Sequence, residues 1–140
     1  MKRMKQLASV VLALVLALAL GLEFAVCNGI LKPLIARPRP CDLNDAIQLL
    51  IPRPGDDSFP SGHTIASFEA SVALLKHSRK MGIPALILAI LVSFSRLYLY
   101  VHYPSDVLVS VVLGTIFAFI GCALANLIKL PTVRKGKFER

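Results

Sequence analysis

Apolar and polar residues follow one another in long blocks rather than at a short period. Apolar stretches run over about 7–31, 64–75, 83–101 and 107–128. A helix that crosses a bilayer needs about 20 mostly apolar residues. The first, third and fourth stretches reach that length. The second reaches it only if 61–77 is counted as helix, and it carries Glu69, so its polar face is expected to point into a bundle. The pattern predicts an all-α fold, an integral membrane helical bundle with four transmembrane helices at about 7–31, 61–77, 83–101 and 104–128. They form a single membrane-embedded domain over 1–140, with an outer loop at about 32–60 and a tail at about 129–140. Within the loop, the apolar run 46–51 is flanked by Asp42, Asp45, Asp56 and Asp57. It fits a short interfacial helix or an ordinary packed loop equally well. The sequence Arg53-Pro54-Gly55-Asp56 reads as a turn.

Composition supports helices over strands as the spanning elements. The chain of 140 residues is 56% hydrophobic and only 7% aromatic, with no Trp. Its mean hydropathy is +0.69. A membrane barrel needs alternating segments and aromatic girdles, which an aliphatic chain of this kind lacks. Cys27, Cys41 and Cys122 form no metal-ligand spacing and no disulfide framework, and read as apolar fillers.

The net charge is +8. The basic residues lie between apolar runs instead of forming one soluble patch, which points away from nucleic acid and toward membrane orientation. Lys2, Arg3 and Lys5 precede the first stretch, and Lys76, Arg79 and Lys80 join the second to the third. Lys129, Arg134, Lys135, Lys137 and Arg140 follow the fourth. Four spans put these three groups on one side, which the positive-inside rule makes cytoplasmic. The segment 32–60 and the turn near His102 then face outward. An impermeant thiol reagent is expected to reach Cys41 from outside if the loop leaves it exposed, and an engineered cysteine at Ser78 only after permeabilisation. The basic start and apolar run also fit a cleaved signal peptide. The run is long and shows no clear small-x-small site, and cleavage would leave the downstream orientation unchanged.

That topology brings three polar clusters to one face: Lys32 to Pro40, Pro60 to His63, and Ser95-Arg96 with His102 and Asp106. The 39 residues from His63 to His102 are two membrane crossings, down and back. Each cluster suits a phosphate. Lys32 and Arg39, seven apart, share a face if the helix continues, although the intervening prolines oppose that. Ser61 is a natural N-cap, so Gly62 and His63 open a helix whose N–H groups and dipole attract an anion. Gly62 also permits close backbone approach. Arg96 offers a planar fork. Pro104 suits the first position of a helix. Asp106, four residues beyond His102, could hold one imidazole nitrogen and leave the other free to attack. Arg37 and Arg53 read better as snorkelling anchors at a span end.

These residues resemble the type-2 phosphatidic acid phosphatase superfamily, which includes lipid phosphate phosphatases and vanadium haloperoxidases. Its pattern is Lys-x6-Arg-Pro, then Pro-Ser-Gly-His, then Ser-Arg-x5-His-x3-Asp. The chain has Lys32 with Arg39-Pro40, then Pro60 to His63, then Ser95-Arg96 with His102 and Asp106. The resemblance implies that His102 is the nucleophile and becomes phosphohistidine, and that Asp106 orients it. It implies that His63 protonates the leaving oxygen and then activates water. Lys32, Arg39 and Arg96, with Ser61 and the Gly62 backbone, would hold the phosphoryl oxygens. No metal or other cofactor is expected. Bacterial membrane members usually have six spans, with the first motif ending the third. Here that motif ends the first, so two N-terminal spans of the pattern are missing.

The resemblance therefore implies metal-independent hydrolysis of a membrane lipid phosphate or diphosphate, with undecaprenyl diphosphate favoured. Phosphatidylglycerol phosphate and phosphatidic acid are the next choices. The setting implied is the cell membrane, crossed several times, with the active site on the extracytoplasmic face. The rival readings are a haloperoxidase-like oxidoreductase holding vanadate in the same pocket, and an inactive truncated membrane protein.

Overall fold

The computed structural model describes residues 2–44 and 46–127. Helix α1 (Lys2–Val26) runs through a π-helical turn (Cys27–Leu31) into a last single turn, α2 (Lys32–Ile35). A 3-10 turn (Pro40–Asp42) and a loop without further helix lead to α3 (Gly62–His77), α4 (Arg79–Tyr98) and α5 (Pro104–Leu127). The described residues contain no strand. Residues 46–51 form an irregular loop and no helix, and none of them is buried. The proposed tail 129–140 lies outside the described residues.

Among the described residues, three helical stretches are long and apolar enough to cross a membrane: Leu16–Asp42, Arg79–Tyr98 and Pro104–Leu124. Helix α3 has 16 residues, about 24 Å at 1.5 Å per residue. It is the most enclosed helix and packs mainly against α4 and α5, while α1 lies against α5 and α3. Its environment explains its composition: a helix wrapped by others need not present an apolar face to lipid. Glu69, Ser71, Thr64 and Ile65 are all buried on it.

Small residues let the helices approach. A Cβ on Gly82 would lie 2.4 Å from the Leu75 Cα, and one on Gly114 would lie 2.5 Å from the Ile65 carbonyl oxygen. Gly82, Ala89 and Ser93 form the buried stripe of α4, spaced to lie on one face. On α1 and the π-helical turn that continues it, Ala19, Glu23 and Cys27 recur at intervals of four and are buried. Cys27 meets Ile65 of α3 and Phe117 of α5 in the core. The opposite faces carry Ile87, Leu88, Leu91 and Phe94 on α4 and Val112, Ile116 and Phe119 on α5, all exposed to the surroundings. In a bilayer these faces meet acyl chains.

The helix ends differ from the sequence pattern for local reasons. Helix α4 begins four residues before the apolar run, because Ser78 turns the chain in one extended residue (φ −156°, ψ 124°). The Ser78 carbonyl then accepts from the N–H groups of Met81 and Gly82. Pro84 lies inside the helix, at its sixth residue, where its missing N–H leaves the Lys80 carbonyl without that donor. The helix stops at Tyr98, and Tyr100 follows in the left-handed region (φ 58°). Pro104 takes the first position of α5, as expected.

Candidate active site

The first cluster is built by a helix that ends abruptly. Lys32 is buried in the single turn of α2, and Ala36, in the left-handed region (φ 45°), stops it with its N–H donating to the Lys32 carbonyl. The following Arg37-Pro38-Arg39-Pro40 is held extended, since a residue before proline disfavours helix. Arg39 has φ −75° and ψ 155°. Lys32 and Arg39 thus do not share a helical face. They are brought together by the turn, and both donate to the carboxylate of Asp56, Arg39 from Nη2 at 2.7 Å. Arg39 is buried and its other donors are also engaged. Nε donates to the Asp56 carbonyl at 2.8 Å, and Nη1 to the Val101 carbonyl at 2.8 Å. Nη1 also lies 3.2 Å from His102 Nε2.

The second cluster is tied to the first by the Ser58 N–H, which donates to the Arg37 carbonyl at 2.8 Å. Ser61 occupies the N-cap position of α3 but makes no side-chain cap bond. Its N–H donates to Ser110 Oγ at 2.8 Å, and its hydroxyl is 3.1 Å from Thr64 Oγ1. The first N–H groups of α3, at Gly62 and His63, therefore keep the free donors of any helix start. His63 is exposed. The charges of Arg96, Arg39 and Lys32 all act on its imidazole. Arg96, in the last turn of α4, is half-buried and donates from Nε and Nη2 to Ser95 Oγ, each at 3.2 Å.

The third cluster holds the buried imidazole. Burial, then the Arg39 charge, push His102 down from the usual histidine range to about 4. It is neutral at pH 7. Arg39 can only donate, so the nearby Nε2 is the acceptor, with the lone pair, and the ring proton sits on Nδ1. Nδ1 makes no bond of good geometry; it is directed to the Ser58 backbone and faces Asp106 Oδ2 at 3.7 Å. The expected hydrogen bond between Asp106 and His102 is thus an ion-pair-range contact instead. The reason is competition. Asp106 is fully buried, and its Oδ1 accepts from Arg37 Nη1 at 2.6 Å. Its Oδ2 accepts from Ser58 Oγ at 2.5 Å and from the Tyr103 N–H at 3.0 Å. The last bond is the reciprocal half of a capping box at the start of α5.

Arg37 corrects the sequence reading. It is no lipid-facing anchor: besides Asp106 it donates to Ser105 Oγ at 2.8 Å and stacks over the Tyr103 ring, 3.9 Å from its centroid. Asp56 and Ser58 are the other two site residues that the sequence reading missed. Arg53 lies 3.9 Å from Asp42 at the loop surface. Cys41 is fully buried and Cys27, Cys41 and Cys122 are unpaired thiols. Asp56 is held low. Partial burial raises its carboxyl, but the hydrogen bonds and charges of Lys32 and Arg39 outweigh that and bring it to about 2. Among the described residues no group of three or more His, Cys, Asp or Glu side chains could hold a metal ion.

One end of the bundle thus gathers buried cations, a neutral imidazole with its lone pair toward Arg39, and an open helix N-terminus. This defines a helical protein of membrane-spanning length with a cluster of cationic side chains at one end. The chain belongs to the PAP2 superfamily, whose family model matches residues 7–128. It is 36% identical over 109 residues to undecaprenyl-diphosphatase BcrC of Bacillus subtilis, covering 78% of this chain and 56% of that protein. It is 36% identical over 119 residues to an undecaprenyl-diphosphatase of Sulfolobus acidocaldarius, covering 84% of this chain and 54% of that protein. It also superposes on the crystal structure of a PAP2 type phosphatidylglycerolphosphate phosphatase from Bacillus subtilis with a TM-score of 0.69 and 26% identity. That match covers 91% of this chain and 68% of the other. The chain spans about half the length of the curated relatives it matches.

Proposed function

We propose that this chain carries the catalytic part of a membrane phosphatase that hydrolyses a lipid phosphate or diphosphate through a phosphohistidine on His102. The observation that carries the reading is the neutral, buried His102 with Nε2 beside Arg39 Nη1. A phosphoryl group drawn to Arg39 would lie against that lone pair. In the first step Nε2 attacks phosphorus, the bond to the leaving oxygen breaks, and His63 gives that oxygen a proton. In the second, water gives a proton back to His63 and attacks phosphorus. The N–P bond breaks, which frees His102 and releases inorganic phosphate. Lys32, Arg39, Arg96 and the Gly62 N–H would stabilise the charge on the transferred group. Asp106, fixed by Arg37 and Ser58, would favour the Nδ1–H tautomer at 3.7 Å through its charge.

Undecaprenyl diphosphate is the preferred substrate, supported by the names of two relatives. Purified protein in detergent is the test. It should release phosphate from undecaprenyl diphosphate faster than from phosphatidylglycerol phosphate or phosphatidic acid, with excess chelator present. Release from none of the three would contradict the function. Halide oxidation by a vanadate-loaded sample with peroxide would indicate a haloperoxidase.

The proposal includes α3 as a fourth crossing within one domain, with the site on the extracytoplasmic face. Charge asymmetry supports this orientation, since Lys76, Arg79 and Lys80 lie at the end of the α3–α4 pair away from His102. Cys41 is too buried to report on it. Leu50, 75% exposed in the outer loop, is a better position. Leu50→Cys should react with an impermeant thiol reagent on intact cells, and Ser78→Cys only after permeabilisation. The reverse pattern would put the site in the cytoplasm.

A further inference from the structure

The two bases expected to receive a phosphate are already occupied by an anion of the chain itself. Asp56 accepts from Lys32 through Oδ2 and from Arg39 Nη2 through Oδ1 at 2.7 Å. Lys32 and Arg39 are buried, whereas the Asp56 side chain is 53% exposed. The carboxylate is thus the solvent-facing partner of two buried cations. It stands on the far edge of the same guanidinium whose other edge faces His102 Nε2. Its loop contains no helix or strand at residues 43–44 and 46–61, but the backbone beside it is fixed, with the Asp56 carbonyl accepting from Arg39 Nε and the Ser58 N–H donating to the Arg37 carbonyl, so only the exposed Asp56 side chain would have to move.

A carboxylate and a phosphoryl group both use two oxygens to accept from such a pair of donors, so they compete for it. We propose that Asp56 is an internal, displaceable occupant of the phosphate seat, and that this competition weakens the hold of the seat on any phosphoryl group, so that free phosphate is not retained there. The inference rests on the reading of Lys32 and Arg39 as the phosphate-binding pair. Any phosphoryl group must displace the Asp56 side chain, and that cost is the same whatever the group is attached to. A lipid substrate offsets it by the binding of its apolar part and by its concentration in the membrane plane. Inorganic phosphate has neither, so it binds weakly and leaves readily as product. Asp56 thereby sets the absolute affinity of the seat, while the apolar part of the lipid sets the preference, and both act before the chemistry.

The test uses purified protein in detergent and inorganic phosphate as probe, with binding followed by calorimetry and by thermal unfolding. Asp56→Asn removes the charge and should bind phosphate on the order of tenfold more tightly, the loss of one partly exposed charged competitor. Without phosphate it should melt earlier than wild type, because Lys32 and Arg39 lose their counter-ion. Phosphate should then raise its melting temperature more than it raises that of wild type. Asp56→Glu keeps the charge and should bind phosphate more nearly as wild type does. It also keeps the comparison available if Asp56→Asn is too unstable to purify: binding by Asp56→Glu as tight as tenfold above wild type would then overturn the proposal. Unchanged or weaker phosphate binding in Asp56→Asn would also overturn it and make Asp56 a residue that positions Lys32 and Arg39. Because binding is read directly, the result stands apart from the proposed activity. A chain that hydrolyses no lipid phosphate yet binds phosphate more tightly as Asp56→Asn would leave this inference in place.

Discussion

His102→Ala is expected to reduce phosphate release from every lipid phosphate to background, a fall on the order of 10⁴-fold or more, as when an enzyme loses its nucleophile. The size follows from the surroundings. The hydroxyls nearest the imidazole have other duties: Ser58 Oγ donates to Asp106, and Ser61 Oγ is paired with Thr64 Oγ1. Neither is poised to attack in place of His102. The imidazole is also preset for the task, since burial and Arg39 hold it near 4. Protonation of Nε2, with loss of its lone pair, is therefore expected to limit activity only as the pH falls toward that value. Steady-state phosphate release, with thermal unfolding as a check on the fold, measures the effect. Substantial activity in a folded His102→Ala protein would move the nucleophile elsewhere.

His63→Ala is expected to separate the two halves of the reaction. His63 is exposed at the N-terminal turn of α3, where it can meet both leaving oxygen and water. General acid–base assistance is worth about 10²–10⁴-fold. The second step needs a base to activate water, so it should slow by about that range whatever the substrate. The first step needs an acid only in proportion to the basicity of the leaving oxygen. A diphosphate leaves as a phosphate, a weaker base than an alkoxide, and should be little affected. A phosphatidic acid leaves as an alkoxide and should be slowed strongly. Rapid-quench kinetics on the two substrates would show a burst of one equivalent with the diphosphate and none with phosphatidic acid. Equal slowing of both, with no burst, would remove His63 from the acid–base role.

Much of the helical layout was legible because it follows from local rules. Pro104 opens α5, Ser61 stands at the cap position of α3, and the three longest apolar blocks became the three helices of spanning length. Glu69 turned inward, as expected of an acid on a helix packed among apolar ones. The proximity of the Lys32, His63 and His102 clusters could also be inferred, because two crossings return a chain to the same side. The way Lys32 and Arg39 meet could not. It depends on Ala36 entering the left-handed region, which no residue preference announced.

Arg37 and Asp56 were misread for a related reason. Their partners are 69 and 24 residues away, and ion pairs across such distances leave no period in the sequence. Arg37 beside an apolar run looks the same whether it faces lipid headgroups or a buried Asp106. Asp56 looked like one of four acids around a loop. In the folded chain it is the one that Lys32 and Arg39 both grip.

The central claim is a covalent bond between phosphorus and His102, and trapping that bond tests it most directly. Wild type, His102→Ala and His63→Ala protein would be exposed briefly to a radiolabelled lipid diphosphate, quenched, and assayed for label that is labile in acid and stable in base. The account predicts transient label in wild type, persistent label in His63→Ala, and none in His102→Ala. Label retained in His102→Ala and absent from His63→Ala would exchange the two roles. Label in none of the three, with the wild type turning over, would contradict the account and point to direct attack by water.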